Sequence, residues 1–133
     1  MKESLDQERA RFAWEKVQRQ TEEYTKLAKG APALIMQSGL MPVLAFYKEK
    51  NKAHHDALLN HLCLWLQSQF PQQIPSANFT QIMSALMGSQ QGNATGHAQF
   101  YRMATEESLS ILRWIRQFAA AVGGGNGGGA RDG

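Results

Sequence analysis

Residues 100–121 constrain the fold of this chain more than any other stretch, because they hold its longest helical pattern. An α-helix turns about 100° per residue, so residues three or four apart share a face. The face that collects the small and apolar residues comprises Tyr101, Ala104, Thr105, Ser108, Ile111, Leu112, Ile115, Phe118 and Ala119, with Trp114 at its border. This pattern predicts a long helix whose inner face packs against the rest of the protein.

The opposite face of this predicted helix is basic. Arg102, Arg113 and Arg116 fall there with Leu109, which is predicted to be exposed, and Glu106 is the only acid beside them. Such a strip is either a solvated face or a binding surface. Composition alone favours the solvated face, because a formal net charge of +3 permits a nucleic-acid partner without requiring one.

A second long helix is predicted at the start of the chain. Ser4 and Gln7 have the spacing of a capping box, and the helix is expected to run to about Lys29, where Gly30 stops it. Its apolar side comprises Ala10, Ala13, Trp14, Val17, Tyr24, Leu27 and Ala28. Phe12 lies off this side, and it is interpreted either as a contact at the edge of the core, which we favour, or as an exposed contact with a partner.

Shorter helices are predicted between these two. Pro32 and Pro42 suit helix starts, a further helix spans residues 53–70, and Asn78 caps another. No segment alternates polar and apolar residues as a strand does. The predicted fold is all-α: a compact single-domain helical bundle over residues 1–122, with two long helices flanking shorter ones. Residues 88–96 are predicted to be a polar loop and residues 123–133 a flexible glycine-rich tail.

The location of the protein is predicted from its cysteine content and its N-terminus. Cys63 is the single cysteine and lies in an apolar stretch, which predicts a buried free thiol in a reducing compartment. The first residues are charged and contain no apolar signal-peptide core, and no run approaches the ~18 apolar residues of a membrane span. The protein is therefore predicted to be cytoplasmic, without a membrane partner.

No pattern of catalytic or metal-binding residues is found. His54 and His61 lie about 10 Å apart along a helix, too far to share a zinc ion whose ligands stand at ~2 Å, and the histidines are expected at the surface or in the first turn of a helix. Glu106 and Glu107 are neighbours whose side chains diverge. The sequence thus predicts no catalytic residue, no cofactor, no metal and no enzymatic activity. A small helical nuclease, with residues that meet only in the fold, remains an alternative.

Binding is the better interpretation, because basic residues occur on several predicted helices. The candidates for phosphate contact are Arg102, Arg113, Arg116, Lys48, Lys50, Arg19 and Lys26. Such side chains contact phosphates without reading bases. The tryptophans Trp14, Trp65 and Trp114 fall on or beside apolar faces, so core packing is expected for them rather than base stacking.

Two blocks of residues carry a resemblance to a known family. The first comprises Tyr101-Arg102, Ala104-Thr105, Glu107, Leu109, Leu112, Trp114-Ile115-Arg116 and Phe118-Ala119. The second comprises Tyr24, Leu27-Ala28, Pro32, Leu34-Ile35, Gly39-Leu40 and Leu44-Ala45-Phe46, with Arg9 and Phe12-Ala13 before it. In this order they resemble the small helical subunit of the type III-B CRISPR (Cmr) effector complex. Residues 53–96 match only in being helical, and the glycine-rich tail lies outside the pattern.

The resemblance implies a non-catalytic role in antiviral defence. Members of the family stack in several copies as a filament beside the backbone subunits, which hold the guide RNA, and they touch the large signalling subunit. They line the channel where target RNA pairs with the guide. On this basis the basic candidates above are assigned to RNA, and Leu109 and Phe12 to contacts between subunits. The alternative is a purely structural subunit that contacts little RNA.

Overall fold

The computed structural model describes residues 3–88 and 94–123, and within them the chain forms six α-helices and no strand. The helices are α1 (Leu5–Val17), α2 (Glu22–Ser38), α3 (Leu40–Lys50), α4 (Ala53–Gln69), α5 (Phe79–Met87) and α6 (Ala94–Gly123). The predicted all-α fold is confirmed. None of the helices in the described ranges has the length and hydropathy needed to cross a membrane.

The 30-residue helix α6 lies at the centre, and α1 and α2 pack against it more extensively than the other helices do. Arg9 of α1 contacts Glu107 and Trp14 contacts Phe118, so α1 runs parallel to α6. Both pairs advance along the two helices in the same direction. The long helix predicted over residues 100–121 is therefore confirmed, and it is the element around which the other helices are arranged.

Helix α2 runs antiparallel to α6. Just beyond the end of α2, in the first turn of α3, the Met41 backbone N–H donates a hydrogen bond to the Tyr101 hydroxyl at 3.0 Å. Near the start of α2, Thr25 lies against Gly123, close enough that a Cβ added to this glycine would stand 3.3 Å from the threonine Oγ1. The two long surfaces of α6 are thus covered by helices that run in opposite directions.

The prediction of one helix from Ser4 to about Lys29 is wrong, because the chain turns back at residues 18–21. Arg19 adopts a left-handed conformation with φ 64°, and Thr21 then caps α2 by accepting from the Tyr24 backbone N–H. Gly30, predicted to be the stop, lies inside α2. The turn is local, and it lets the two halves of the predicted helix cover different sides of α6.

The remaining helix ends agree with the predictions except at α2 and α6. Pro32 lies inside α2 instead of opening a new helix, whereas Gly39, with φ 96°, separates α2 from α3 as expected. Asn78 caps α5 by accepting from two backbone N–H groups. Residues 94–96, predicted to be loop, and Gly123, predicted to be tail, belong to α6. Residues 89–93 of the predicted loop and 124–133 of the tail lie outside the described residues.

The core forms where α6 meets α1, α2 and α4. From the predicted inner face of α6, the buried residues are Ala104, Ser108, Ile111, Leu112, Ile115 and Ala119, whereas Tyr101, Thr105, Trp114 and Phe118 are half-buried. Trp65 and Cys63 of α4 are also buried, as predicted. The prediction that Trp14 packs in the core is wrong, because its side chain is 50% exposed.

His61 is buried in α4, which corrects the expectation of surface histidines. Its Nδ1 is hydrogen bonded to the hydroxyl of Tyr24 at 2.7 Å, and this contact joins α2 to α4. Burial lowers the pKa of the His61 imidazole to about 4. His55, in the first turn of α4, is also buried, and burial lowers its pKa as well.

We expect the stability of the fold to decrease as the pH falls from about 6 to about 4.5. An unfolded histidine has a pKa of about 6.5, so in this range the unfolded chain binds protons that folded His61 excludes. The free energy of unfolding should fall by about 1 kcal/mol for each pH unit, measured by urea unfolding at several pH values.

A pair of variants assigns this pH dependence. His61→Gln removes the buried titrating group and should flatten the dependence, with the remaining slope due to His55 and, near pH 4.5, to Glu107. Asn60→Ala, at the exposed neighbouring position of the same helix, removes no titratable group and should leave it unchanged. Equal slopes in the wild type and in His61→Gln would contradict the expectation.

Candidate nucleic-acid interface

Three basic side chains from two helices converge on the outer surface of the bundle. Arg113 and Arg116 of α6 and Lys29 of α2 are exposed, and with Gln117 and Ala120 they line a shallow depression of about 240 Å³. We call this surface the cationic depression. The antiparallel packing of α2 on α6 brings Lys29 beside the two arginines. Lys29 was not among the predicted site residues, since its position depends on the turn at residues 18–21.

The other predicted basic residues of α6 and α2 differ in their relation to this depression. Lys26 is exposed and lies one turn before Lys29, so it extends the basic surface along α2. Arg102 is exposed on the same side of α6 as Arg113 but about 16 Å away along the axis. Arg19 is exposed in the turn that precedes α2. The structure therefore brings together Arg113 and Arg116, but not Arg102.

Lys48 and Lys50 form a separate group at the end of α3. The Nζ of Lys48 lies 5.6 Å from the centre of the Phe79 ring, and that of Lys50 lies 5.4 Å from the centre of the Phe46 ring. Helix α3 packs chiefly on α2 and α4 rather than on α6. These two lysines remain exposed, but they do not line the cationic depression.

The two residues predicted to contact other subunits pack within the protein. The ring of Phe12 lies 5.0 Å from that of Trp65, and the Lys16 ammonium lies 5.3 Å from the Phe12 centroid. The favoured interpretation of Phe12 as a contact at the edge of the core is therefore confirmed. Leu109 is half-buried and packs against the core, so the prediction that it is exposed is wrong.

Other apolar side chains are exposed instead. Leu5 is 40% exposed and Met103 46% exposed, and with Phe70 they form the apolar part of a depression of about 320 Å³ between the start of α1, the end of α4 and α6. The rest of its lining is polar or charged and comprises Arg9, Gln69, Glu106, Glu107 and Ser110. We call this the apolar depression. The sequence pattern missed it because its residues come from three helices, and no periodicity within one helix relates them.

An aromatic row lies where α1 meets the C-terminal half of α6. The half-exposed ring of Trp14 meets Phe118 edge to face, with centroids 5.4 Å apart and an interplanar angle of 89°. Phe118 in turn lies 5.7 Å from Trp114. Trp14 is at the edge because Ala13 and Val17 take the buried positions of α1.

A polar network anchors the opposite end of the α1–α6 contact. The Nε and Nη2 atoms of Arg9 donate to the two carboxylate oxygens of Glu107, each at 2.8 Å. The indole N–H of Trp65 donates to the same carboxylate at 2.9 Å, and Asp6 accepts from Arg9 at 2.7 Å. Arg9 is therefore engaged within the protein and is not available to bind an external anion.

This network shifts the ionisation of both charged partners. The hydrogen bond to Glu107 contributes most to raising the pKa of Arg9. Burial opposes ionisation of Glu107, but the hydrogen bonds from Arg9 and Trp65 outweigh it, so its pKa lies below the ordinary value. The sequence analysis treated Glu107 only as a divergent neighbour of Glu106. Its pairing with Arg9 could not be predicted from local sequence patterns, because the two residues are 98 positions apart in the chain.

The remaining titratable groups offer little reactive chemistry. Burial raises the pKa of the Cys63 thiol to about 12, although the charge of Lys48 partly opposes this, so little thiolate forms at neutral pH. Within residues 3–88 and 94–123, no three side chains of the His, Cys, Asp and Glu types are grouped closely enough to hold a metal ion. The exposed cations are thus the feature that best suits a ligand.

We expect Glu107→Gln to destabilise the protein by about 2 kcal/mol. The amide keeps the shape of the side chain but leaves the partly buried Arg9 guanidinium without its counter-charge. Urea unfolding followed by circular dichroism measures the loss. Glu106→Gln, at an exposed position next in the sequence, is the control, and it should change stability by less than about 0.5 kcal/mol. Equal effects of the two substitutions would show that the pair contributes little.

Comparison with protein families yields a match over nearly all the described residues. The model of a family described as CRISPR-associated protein (Cas_Cmr5) matches residues 5–122. These limits run from the first residue of α1 to the penultimate residue of α6, so the match spans the helical bundle.

Proposed function

Since the chain belongs to the Cas_Cmr5 family of CRISPR-associated proteins, we propose that it is a non-catalytic small subunit of a type III-B (Cmr) ribonucleoprotein effector and that its cationic depression contacts RNA phosphates. The family membership agrees with the resemblance found in the sequence. In this role the subunit stabilises guide and target RNA in the complex and cuts neither.

The observation that carries the proposal is the convergence of Lys29, Arg113 and Arg116. Among the described residues, the ion pairs join Arg9 to Asp6 and Glu107, and Arg11 to Glu3. None of them involves the three cations of the depression, which therefore remain available for an external anion. RNA phosphates are such anions, and binding to them is independent of sequence.

A subunit of this kind also needs contacts with protein partners. These are further copies of itself, the backbone subunit and the large signalling subunit, and we place the complex in the cytoplasm. The apolar depression supports this part of the proposal, because half-exposed Leu5 and Met103 lose water-exposed apolar surface when a partner covers them. It replaces Leu109 and Phe12 as the candidate contact between subunits.

A non-catalytic role is supported by what the reactive groups do in the fold. His61 is hydrogen bonded to Tyr24, and Glu107 is held by Arg9 and Trp65, so these groups serve packing between helices. A nuclease needs a general base or a metal-bound water at an accessible position. Turnover of RNA by the purified protein would contradict this part of the proposal.

The second candidate function is a purely structural subunit with little RNA contact. It is favoured by the number of exposed apolar side chains, since Met36 is 76% exposed and Met87 63% exposed in addition to Leu5 and Met103. Surfaces of this type are typical of protein interfaces. The two functions differ in whether reversal of the basic charges affects binding of RNA.

We expect the triple variant Lys29→Glu, Arg113→Glu and Arg116→Glu to weaken binding of single-stranded RNA. Each lost phosphate contact should reduce the slope of log affinity against log salt by about 0.7, so the slope should fall by up to about 2. Fluorescence anisotropy of a labelled RNA between about 50 and 200 mM salt measures both affinity and slope.

The matched control is Lys48→Glu, Lys50→Glu and Lys52→Glu, which changes the net charge equally where α3 ends and α4 begins. It should reduce affinity much less. A greater loss in the control would move the RNA contact to α3. Unchanged affinity in both variants, with intact helicity, would favour the purely structural subunit.

We expect Met103→Glu to weaken association with protein partners without unfolding the bundle. A charge at this half-exposed position makes covering the apolar depression unfavourable, so association should weaken about tenfold or more, while stability changes by about 0.5 kcal/mol or less. Sedimentation velocity and co-purification with the other effector subunits measure association. Ala45→Glu, at an exposed position of α3, is the control, and equal losses in both variants would argue against the apolar depression.

A further inference from the structure

Two tryptophans lie at the surface of the bundle where α1 meets α6. Trp14 is 50% exposed, and Trp114 is half-buried. Phe118 lies between them, in ring contact with each. Its edge-to-face contact restricts the orientation of the Trp14 ring while half of the side chain stays in water. The ring is thus positioned in advance of any ligand.

Folding alone does not account for an exposed indole at this position. The stabilisation gained from an apolar side chain scales with the surface removed from water, so Trp14 contributes much less than a buried tryptophan does. Within the described residues, the lysines that lie over aromatic rings are Lys16, Lys48 and Lys50, over phenylalanines. Neither Trp14 nor Trp114 is covered in this way.

The aromatic row and the cationic depression form one continuous surface on α6. Gln117 lines the depression together with Arg113. It follows Trp114 by three residues and Arg113 by four, and side chains at both spacings are neighbours on a helix, with Cβ atoms about 5–6 Å apart. Gln117 therefore connects the Trp114 indole to the Arg113 guanidinium along the surface of α6. We call the combined surface the stacking strip: Lys29, Arg113, Arg116, Trp14 and Trp114.

We propose that the stacking strip binds unpaired RNA, with bases stacked on Trp14 and Trp114 and the neighbouring phosphates held by Lys29, Arg113 and Arg116. This rests on the proposed function, and it specifies that the RNA is single-stranded where it meets this subunit. Every base has a ring face, so stacking on aromatic side chains tolerates any sequence, and a basic groove that follows the backbone complements it.

The charge of the surface favours RNA over a protein segment as the occupant. An apolar protein segment would satisfy the aromatic rings but would leave three adjacent cations without anions. A single strand carries base faces and phosphates side by side along its length. It can therefore contact the tryptophan rings and the three cations of the strip together. In an A-form duplex the bases are stacked on each other, and their faces are not available to an indole.

The test uses the full chain with two probes, a labelled oligouridylate and a hairpin duplex of equal length. The strip predicts tighter binding of the oligouridylate than of the duplex. It also predicts that the intrinsic tryptophan fluorescence is quenched when the oligouridylate binds. Trp65 is buried and hydrogen bonded to Glu107, so the quenched signal should come from Trp14 and Trp114.

Trp14→Leu and Trp114→Leu retain an apolar side chain but remove the ring face. Each should weaken oligouridylate binding about fivefold or more while leaving the salt slope unchanged, because no phosphate contact is lost. Phe46→Leu is the control, since Phe46 is an exposed aromatic residue of α3, away from the strip. Helicity and thermal unfolding of each variant confirm that the bundle is folded.

The outcomes separate this inference from the proposed function. If reversal of the three charges weakens binding but both tryptophan variants bind oligouridylate normally, stacking is overturned and the phosphate contact stands. If neither set of changes affects RNA, the RNA part of the proposed function fails as well. If Trp14→Leu binds RNA normally but no longer co-purifies with the other effector subunits, the row contacts protein and stacking is overturned.

Discussion

The pairing of Arg9 with Glu107 is the interaction on which the arrangement of the bundle depends. The carboxylate receives two hydrogen bonds from α1 and one from Trp65 of α4, so a single group of α6 holds three helices. A bidentate guanidinium–carboxylate contact is directional, and it sets the register of α1 on α6. With that register given, Trp14 reaches Phe118 farther along the same pair of helices.

The sequence was sufficient for most of the helices, but it missed the turn at residues 18–21 and predicted a break at Gly30 and Pro32 that α2 does not have. Periodicity predicted α6 and its buried face, and cap residues marked the starts of α1 and α5, because these signals lie within a few residues of each other. The reversal at Arg19 was missed, since its left-handed conformation is rarely adopted by an arginine and no glycine marks it. A helical face continued across the turn, so the pattern alone indicated one helix.

The residues of the candidate site likewise fall into those that the sequence predicted and those that it did not. The exposure of Arg113 and Arg116 followed from the helical wheel of α6 alone. The contribution of Lys29 and the exposure of Trp14 did not, because both depend on how α1 and α2 are placed on α6. The sequence also missed that Leu109 packs against the core. Residue type and spacing predicted which side of one helix is polar, whereas the composition of a surface shared by two helices required the packing.

The length of α6 sets the distance between the two depressions. Met103, in the apolar depression, and Arg116, in the cationic depression, lie on one uninterrupted helix and are separated by about 20 Å along its axis. A helix that packs against other helices on several sides stays straight, so the distance between its residues stays constant. A copy of the chain docked through the apolar depression would hold its cations at a constant offset from that contact. In a row of such copies, the distance between successive RNA contacts would be set by the protein repeat and not by the conformation of the RNA.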